Sequence, residues 1–182
     1  MDRVRNGELP WTKLDQLHRM TLDTLIPRFG LESLSEAERD ELNRAWHQLP
    51  PWPDTVEGLT RLRRRFVITT LSNGNVSLLT GMAKHAGLPW DCILSAELVR
   101  HYKPDPEAYT QVPDLLDVRP NQVLMVAAHA GDLEAARQAG LRTAFVPRPL
   151  ENGPGPTAAP AAKGEFDYNA FDFLDLATQL GT

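Results

Sequence analysis

The sequence predicts an α/β protein built around a parallel β-sheet. The strongest indication is residues 123–140, where an apolar run is followed by a short polar break and a helical pattern that stops at Gly140. Such a stretch is typical of a buried strand, a tight turn and a helix. Further strand and helix patterns alternate after residue 53, and this alternation favours a parallel sheet.

The first 49 residues are predicted to be helical, because their apolar residues recur at helical spacing and they contain no convincing strand. Residues 50–53 read Pro-Pro-Trp-Pro. Each proline fixes its own backbone angle and favours extended geometry in the residue before it. We interpret this stiff linker as the boundary between a helical segment, residues 1–49, and an α/β core, residues 50–182.

Capping residues and glycines indicate where the individual elements begin and end. The predicted helices cover residues 10–30 with Thr12 as cap, 35–46 with Ser35 and Glu38 as a capping box, 54–62 with Asp54 as cap, 77–85, a helix from Pro106 with Asp105 as cap and Pro113 as a kink, and a helix ending near Gly140. The predicted strands are 66–71, 92–94, 123–128 and 142–146; residues 147–164 are expected to form a surface loop, and 166–180 a short strand and a closing helix.

Composition excludes several classes of protein. The 182 residues carry a formal net charge of -5, which gives no electrostatic footprint for nucleic acid. No stretch approaches the roughly 20 apolar residues of a membrane span, and no signal-peptide pattern is found. Cys92 is the single cysteine and favours a reducing compartment. We expect a cytoplasmic protein, with apolar helices in residues 1–49 that favour a homodimer.

Polar side chains follow three of the predicted strands, at positions where a core would not contain them. They are Ser72 and Asn73 after the first strand, Lys103 and Tyr109 after the second, and His129 and Asp132 after the third. Each one alone has an ordinary explanation as a turn, surface or helix-cap residue. Because right-handed crossovers bring these turns to one edge of a parallel sheet, we expect a shared pocket for a small anionic substrate.

The same stretches resemble a known family. The sequences LSNG at 71–74, YKPDPEAY at 102–109 and VAAHAGDL at 126–133 are similar to the second, third and fourth motifs of the haloacid dehalogenase superfamily. More narrowly, the chain resembles the type II L-2-haloacid dehalogenases, and residues 1–20 look like their cap insert. The resemblance implies a Rossmann-like parallel sheet with a helical cap segment. It also implies hydrolysis of a small L-2-haloacid through an aspartyl-ester intermediate.

The resemblance also implies roles for the site residues. Ser72 would hydrogen-bond the nucleophile or the substrate carboxylate, with Asn73 beside it. Lys103 would neutralise the negative charges of nucleophile and substrate, and Tyr109 would support that lysine or line the pocket. Asp132 would orient Lys103 and help to position the hydrolytic water.

His129 stands where relatives commonly carry asparagine. Because imidazole titrates near neutral pH, it could act as a base towards the hydrolytic water. We therefore include His129 among the candidate catalytic residues.

No metal or other cofactor is expected. The phosphatases of this superfamily hold magnesium with an acidic residue four positions before the aspartate that matches Asp132, and that position is Ala128 here. Alanine supplies no oxygen ligand for a hard cation. This favours a dehalogenase over a phosphatase of a small phosphoester. The phosphatase and a non-catalytic domain that binds an anion or a partner remain the alternatives.

The family's first motif, an aspartate after the first strand (Asp-x-Tyr-Gly-Thr or similar), has no counterpart in the sequence. Asp2 follows no strand, and Asp15 and Asp23 lie within helical patterns. In the family, the corresponding strand is central, between the strands predicted at 66–71 and 123–128. We expect those two strands to lack a shared ladder and the chain as written to be inactive. Either the true protein begins further upstream, or this is a degenerate paralogue.

Overall fold

A computed structural model describes residues 1–153 and 165–182 and confirms the α/β class with parallel strands. The strands are β1 (Thr69–Ser72), β2 (Cys92–Ser95), β3 (Leu124–Ala127), β4 (Arg142–Phe145) and β5 (Tyr168–Asn169). The helices are α1 (Asp2–Arg5), α2 (Leu14–Leu25), α3 (Glu36–Asn43), α4 (Thr55–Arg63), α5 (Val76–Ala86), α6 (Ala96–Val99), α7 (Pro106–Leu115), α8 (Ala130–Gln138) and α9 (Phe173–Gln179). Within this described part of the chain, no helix is long and apolar enough to cross a bilayer.

The described strands form two separate parallel sheets. In the first, β1 pairs with β2, and Thr69 lies opposite Cys92; in the second, β4 pairs with β3 on one side and β5 on the other. As expected, no ladder joins β1 to β3 within residues 1–153 and 165–182. A cleft of about 690 Å³ lies between these two strands, and Leu71 and Met125 are among the apolar residues that line it. The facing edges of β1 and β3 therefore lack a strand partner in the described structure.

Two apolar clusters hold the helices against the strands. The first packs α4 and α9 beside β4 and contains Leu59, Leu62, Ala144, Leu176 and Ala177. The second packs α7 and α8 beside β3 and β4 and contains Tyr109, Met125, Leu133, Ala136 and Phe145. The contact between α4 and α9 is close, since a Cβ atom at Gly58 would lie 2.4 Å from the Cβ atom of Phe173. Glycine at this position allows the two helices to meet.

The first strand begins later than predicted. The prediction of 66–71 is wrong at both ends, because β1 covers Thr69–Ser72. The Asp91 carboxylate accepts the Ile68 backbone N–H at 2.9 Å, and the Asp91 N–H donates to the Ile68 carbonyl at 2.8 Å. These two bonds occupy the Ile68 backbone, so pairing with β2 starts at Thr69. The third strand is also shorter than predicted, since β3 covers Leu124–Ala127.

The helices of residues 1–49 follow the predicted pattern with corrected ends. The capping box of Ser35 and Glu38 is confirmed at the start of α3. The cap predicted at Thr12 is wrong: its hydroxyl donates to the Pro10 carbonyl at 2.9 Å, and Lys13 is the N-cap of α2. Both helices end before the predicted positions and continue into short 3₁₀ turns, at Pro27–Phe29 and Arg44–Gln48.

The remaining predictions concern two short helices, the kinked helix, the surface loop and the C-terminal tail. The short helices α1 and α6 were not predicted, whereas the strand and helix of the tail are confirmed as β5 and α9. Helix α7 includes Pro113 and continues to Leu115. Residues 154–164 of the predicted surface loop lie outside the described residues. The boundary between a cap and a core at residues 49 and 50 stays a prediction.

Asp54 is the N-cap residue of α4, as predicted, but its side chain makes no capping hydrogen bond and instead binds residues near the end of the chain. Both of its carboxylate oxygens accept hydrogen bonds from Arg148, at 2.8 and 2.9 Å, and one also accepts the Phe173 backbone N–H at 2.8 Å. The Arg148 guanidinium lies 5.5 Å from the ring centroid of Trp52 and 5.1 Å from that of Phe173. Burial acts to raise the pKa of Asp54, but the hydrogen bonds and the charge of Arg148 outweigh it and lower the pKa.

We predict that Asp54→Asn lowers the free energy of unfolding by about 2 kcal/mol at pH 7, because Arg148 loses its buried counter-charge. Since the pKa of Asp54 is lowered by folding, its contribution is present above the ordinary carboxyl pKa and is lost as the pH falls through the folded value. Urea unfolding at pH 7 and pH 3 measures this. The exposed control Asp23→Asn should change stability by less than about 0.5 kcal/mol, and a constant difference for Asp54→Asn at both pH values would contradict the prediction.

Candidate active site

Three of the predicted site residues form one buried hydrogen-bonded group. Lys103 Nζ donates to Asp132 Oδ2 at 2.6 Å, and Tyr109 Oη donates to Asp132 Oδ1 at 2.6 Å. The side chains of Lys103 and Asp132 are 16% and 17% exposed, and Tyr109 is buried. Because both carboxylate oxygens accept a bond, Asp132 fixes the position of the Lys103 ammonium group.

The local sequence explains why the side chains of Asp132 and Tyr109 lie at this position. Asp132 lies in the first turn of α8, directly after β3, where a carboxylate is stabilised by the helix dipole. Leu133 and Ala136 face the core and set the orientation of that helix. Tyr109 lies on the buried face of α7 next to Ala108. The tyrosine hydroxyl therefore reaches Asp132 from the neighbouring helix.

Asn73 joins the turn after β1 to the loop that carries Lys103. Its side-chain oxygen accepts the Lys103 backbone N–H at 2.7 Å, and its side-chain nitrogen donates to the Lys103 carbonyl at 3.3 Å. Ser72 lines the cleft between β1 and β3, and its hydroxyl accepts the Gly74 N–H at 3.1 Å. The structure thus places Ser72, Asn73 and Lys103 on adjoining turns, at the end of the cleft where β1 stops.

His129 occupies a more peripheral position. It is the N-cap residue of α8, its side chain is 67% exposed, and its Nε2 atom lies 3.0 Å from Glu151 Oε2. Within the described residues, the His129 side chain therefore hydrogen-bonds Glu151 and not a member of the Lys103 group. Its catalytic role stays a prediction.

The two buried tyrosines of this region remain protonated at neutral pH. Burial raises the pKa of Tyr109, and the hydrogen bond and charge of Asp132 raise it further. Burial, together with the charge of Glu97, raises the pKa of Tyr102 to about 12. Both hydroxyls therefore act as hydrogen-bond donors.

Residues 1–49 contact the loop around Lys103, which the sequence did not indicate. Arg5 donates to the Asp105 carboxylate at 2.8 Å. Asp105 is the N-cap residue of α7, as predicted, but its side chain makes no capping hydrogen bond. Tyr102 donates to the Thr12 carbonyl at 2.7 Å, and its ring centroid lies 4.7 Å from that of Trp11. No motif pairs these residues, because the partners lie about 90 to 100 positions apart in the chain.

The described residues offer no cluster of three or more His, Cys, Asp or Glu side chains suited to a metal ion. Ala128, directly after β3, carries a methyl group, which offers no oxygen ligand to a hard cation.

The sequence matches the haloacid dehalogenase-like hydrolase family over residues 3–140. The chain belongs to this family. Its membership agrees with the parallel α/β architecture and with the side chains placed at the strand ends. The protein is therefore a hydrolase by family.

The names of individual relatives indicate a narrower class than the family model does. The chain is 35% identical over 158 residues to "(S)-2-haloacid dehalogenase 1" from Pseudomonas sp. (strain CBS-3), a match that covers 80% of this chain and 69% of the relative. A crystal structure of an L-2-haloacid dehalogenase is 51% identical, with a TM-score of 0.94, and the match covers 99% of this chain and 79% of that one. A defluorinating L-2-haloacid dehalogenase is 47% identical, with a TM-score of 0.95, over 100% of this chain and 75% of that one.

We predict that Tyr109→Phe lowers the free energy of unfolding by about 1 kcal/mol at pH 7, because Asp132 loses one buried donor. Folding raises the pKa of Tyr109, so its contribution is present below the ordinary tyrosine pKa, near 10, and is lost as the pH rises towards the folded value. Unfolding curves at pH 7 and pH 10.5 measure the difference. An increase in the difference at the higher pH would contradict the prediction.

Proposed function

We propose that the protein is a dehalogenase-type hydrolase that acts on small L-2-haloacids through an aspartyl ester. The observation that carries this proposal is the mostly buried Lys103 ammonium, which is held by Asp132. Its loop adjoins the turn of Ser72, a residue that lines the cleft between β1 and β3. The names of the relatives agree with it, since they are (S)- or L-2-haloacid dehalogenases. The substrate class follows from this chemistry together with the family.

Lys103 is the group best suited to bind the substrate carboxylate. Its ammonium can donate three hydrogen bonds, and Asp132 takes one of them in the described structure. Ser72 supplies a hydroxyl at the adjoining turn, and Asn73 fixes the Lys103 backbone. A small carboxylate would therefore be held between an ammonium group and a hydroxyl group.

The attacking carboxylate belongs in the cleft between β1 and β3. A strand that paired with both edges would complete a single parallel sheet, and its carboxyl end would lie beside Ser72 and the Lys103 loop. An aspartate there would attack the halogen-bearing carbon, and the halide would leave with the electron pair of the carbon–halogen bond. The product of this step is an ester between the aspartate and the substrate.

Water completes the reaction at the carbonyl carbon of the enzyme ester. The aspartate is regenerated and a 2-hydroxy acid leaves, inverted at C2 because that carbon is attacked only once. Asp132 would position Lys103 and the water, and His129 would take the water's proton and return it to the alkoxide oxygen that leaves when the acyl C–O bond breaks. The exposure of His129 leaves its ring accessible to solvent.

The reaction needs no metal in this proposal, because Lys103 supplies the positive charge and Ala128 supplies no ligand. Ala128 also counts against a magnesium-dependent phosphatase. A non-catalytic anion-binding domain is the remaining alternative, and turnover separates it from the enzyme.

The partner and the compartment of the protein also stay predictions. Several large apolar side chains of residues 1–49 are exposed and suit a homodimer: Met20, Phe29, Leu42 and Trp46. Cys92 is unpaired, which suits a reducing cytoplasm.

We predict that the 182-residue chain as written releases no halide from L-2-chloropropionate. A version extended upstream by a strand that ends in Asp-x-Tyr-Gly-Thr should release chloride, with unchanged rates in EDTA. Lys103→Ala in the extended version should lower kcat/KM about 100-fold or more, because a preorganised charge is lost. Chloride release is measured by ion chromatography.

The outcomes separate the alternatives. Halide release by the 182-residue chain would place the nucleophile elsewhere, and binding of propionate without turnover by the extended version would favour the non-catalytic domain. Hydrolysis of a small phosphoester that requires magnesium would favour the phosphatase. The exposed substitution Lys84→Ala, on α5, serves as a charge control and should leave the rate unchanged.

We predict that His129→Ala in the extended version traps the ester, because water loses its base. Mass spectrometry after brief exposure to L-2-chloropropionate should show the protein heavier by the acyl group, with the first chloride released at an unchanged rate. Unchanged steady-state turnover would remove this role from His129. Glu151→Gln, which keeps a hydrogen-bond acceptor beside His129, is the matched control and should not accumulate the ester.

A further inference from the structure

We propose that Asn75 is a positioning residue that couples residues 1–49 to the Lys103 site. Asn75 and Asp15 form a reciprocal pair between the two parts of the chain. The Asp15 backbone N–H donates to Asn75 Oδ1 at 3.1 Å, and Asn75 Nδ2 donates to Asp15 Oδ2 at 2.9 Å. Asn75 is 2% exposed, so its amide has little water to replace these bonds. The inference rests on the proposed anion site.

The pair connects to the site through one short turn. Asn75 lies two residues after Asn73, whose side chain bonds both the backbone N–H and the carbonyl of Lys103. Between them, the Gly74 carbonyl accepts a hydrogen bond from the buried hydroxyl of Ser95 at 2.6 Å. A shift at Asn75 is therefore transmitted along a hydrogen-bonded turn to the Lys103 backbone.

Asp15 is well placed to hold Asn75 in position. Its carboxylate also lies 3.1 Å from His47 Nε2, and its carbonyl accepts the Asn43 side chain at 3.0 Å. These bonds fix Asp15 to the end of α3 and the following 3₁₀ turn. The hydrogen-bonded pair of Asp15 and Asn75, called the joint below, thus anchors the turn of residues 72–75 to several helices of residues 1–49.

The other side of the Lys103 loop is anchored in the same way. Tyr102 contacts Thr12, and Asp105 contacts Arg5. Three residues that bond to residues 1–49, namely Asn75, Tyr102 and Asp105, thus lie within two positions of Asn73 or Lys103. This placement gives residues 1–49 direct control over the geometry of the anion site, beyond a covering role.

The test uses Asn75→Asp, which sets two carboxylates against each other, and the exchanged pair Asp15→Asn with Asn75→Asp, which restores one amide and one carboxylate. The Lys103 amide is the reporter, because its N–H donates to Asn73. In Asn75→Asp, its hydrogen exchange, measured by NMR, should accelerate about tenfold. The exchanged pair should return it to within about threefold of the wild type.

A second variant acts from the other side of the joint. Asp15→Ala removes the acceptor at a partly exposed position and should also accelerate Lys103 exchange, even if Asn75→Asp fails to fold. Asn43→Ala removes the bond to the Asp15 carbonyl but keeps both bonds between Asp15 and Asn75, so Lys103 exchange should change much less than in Asp15→Ala while the melting temperature falls.

Affinity for L-2-chloropropionate, measured by calorimetry, gives the functional readout. It should weaken about tenfold in Asn75→Asp and recover in the exchanged pair. Unchanged Lys103 exchange in both Asn75→Asp and Asp15→Ala, or no recovery in the exchanged pair, would overturn the inference. If exchange responds as expected but the wild type binds no 2-haloacid, the proposed function fails and the positioning role stands.

Discussion

The carboxylate of Asp132 is the constraint on which the site depends. An ammonium group that is mostly removed from water must have a counter-charge close by, and Asp132 provides it at 2.6 Å. The same carboxylate accepts the buried Tyr109 hydroxyl, so the helices α7 and α8 and the Lys103 loop meet at one point. This leaves a charged, preorganised donor at the carboxyl ends of the strands, where α/β proteins bind ligands.

The cleft between β1 and β3 is the second feature that shapes the function. Two strand edges face each other across about 690 Å³ and have no ladder between them in the described part of the chain. Unpaired backbone groups at a buried edge are unfavourable, and a parallel strand would satisfy both edges at once. The proposed nucleophile and the completion of the sheet would thus be met together, because a strand that paired with both edges would end at the proposed site.

Several hydrogen bonds of residues 1–49 reach the loops that carry Asn73 and Lys103. Asn75, Tyr102 and Asp105 each bond to this helical segment and each lie within two positions of one of those residues. In a dehalogenase, such an arrangement would link the fit of the helical segment over a substrate to the placement of the ammonium group.

The sequence alone determined the α/β class and most element positions, and it predicted that Asn73, Lys103, Tyr109 and Asp132 lie close together, as their hydrogen bonds show. These features depend on the local periodicity of apolar residues and on the order of polar turns after strands, and both can be read from the amino-acid sequence. Only the tertiary structure decided that Asp54 binds Arg148, that Asp105 binds Arg5 and that Asn75 binds Asp15. A carboxylate at a helix start satisfies a local capping rule as well as a distant partner, and burial and the approach of a second chain segment decide between the two.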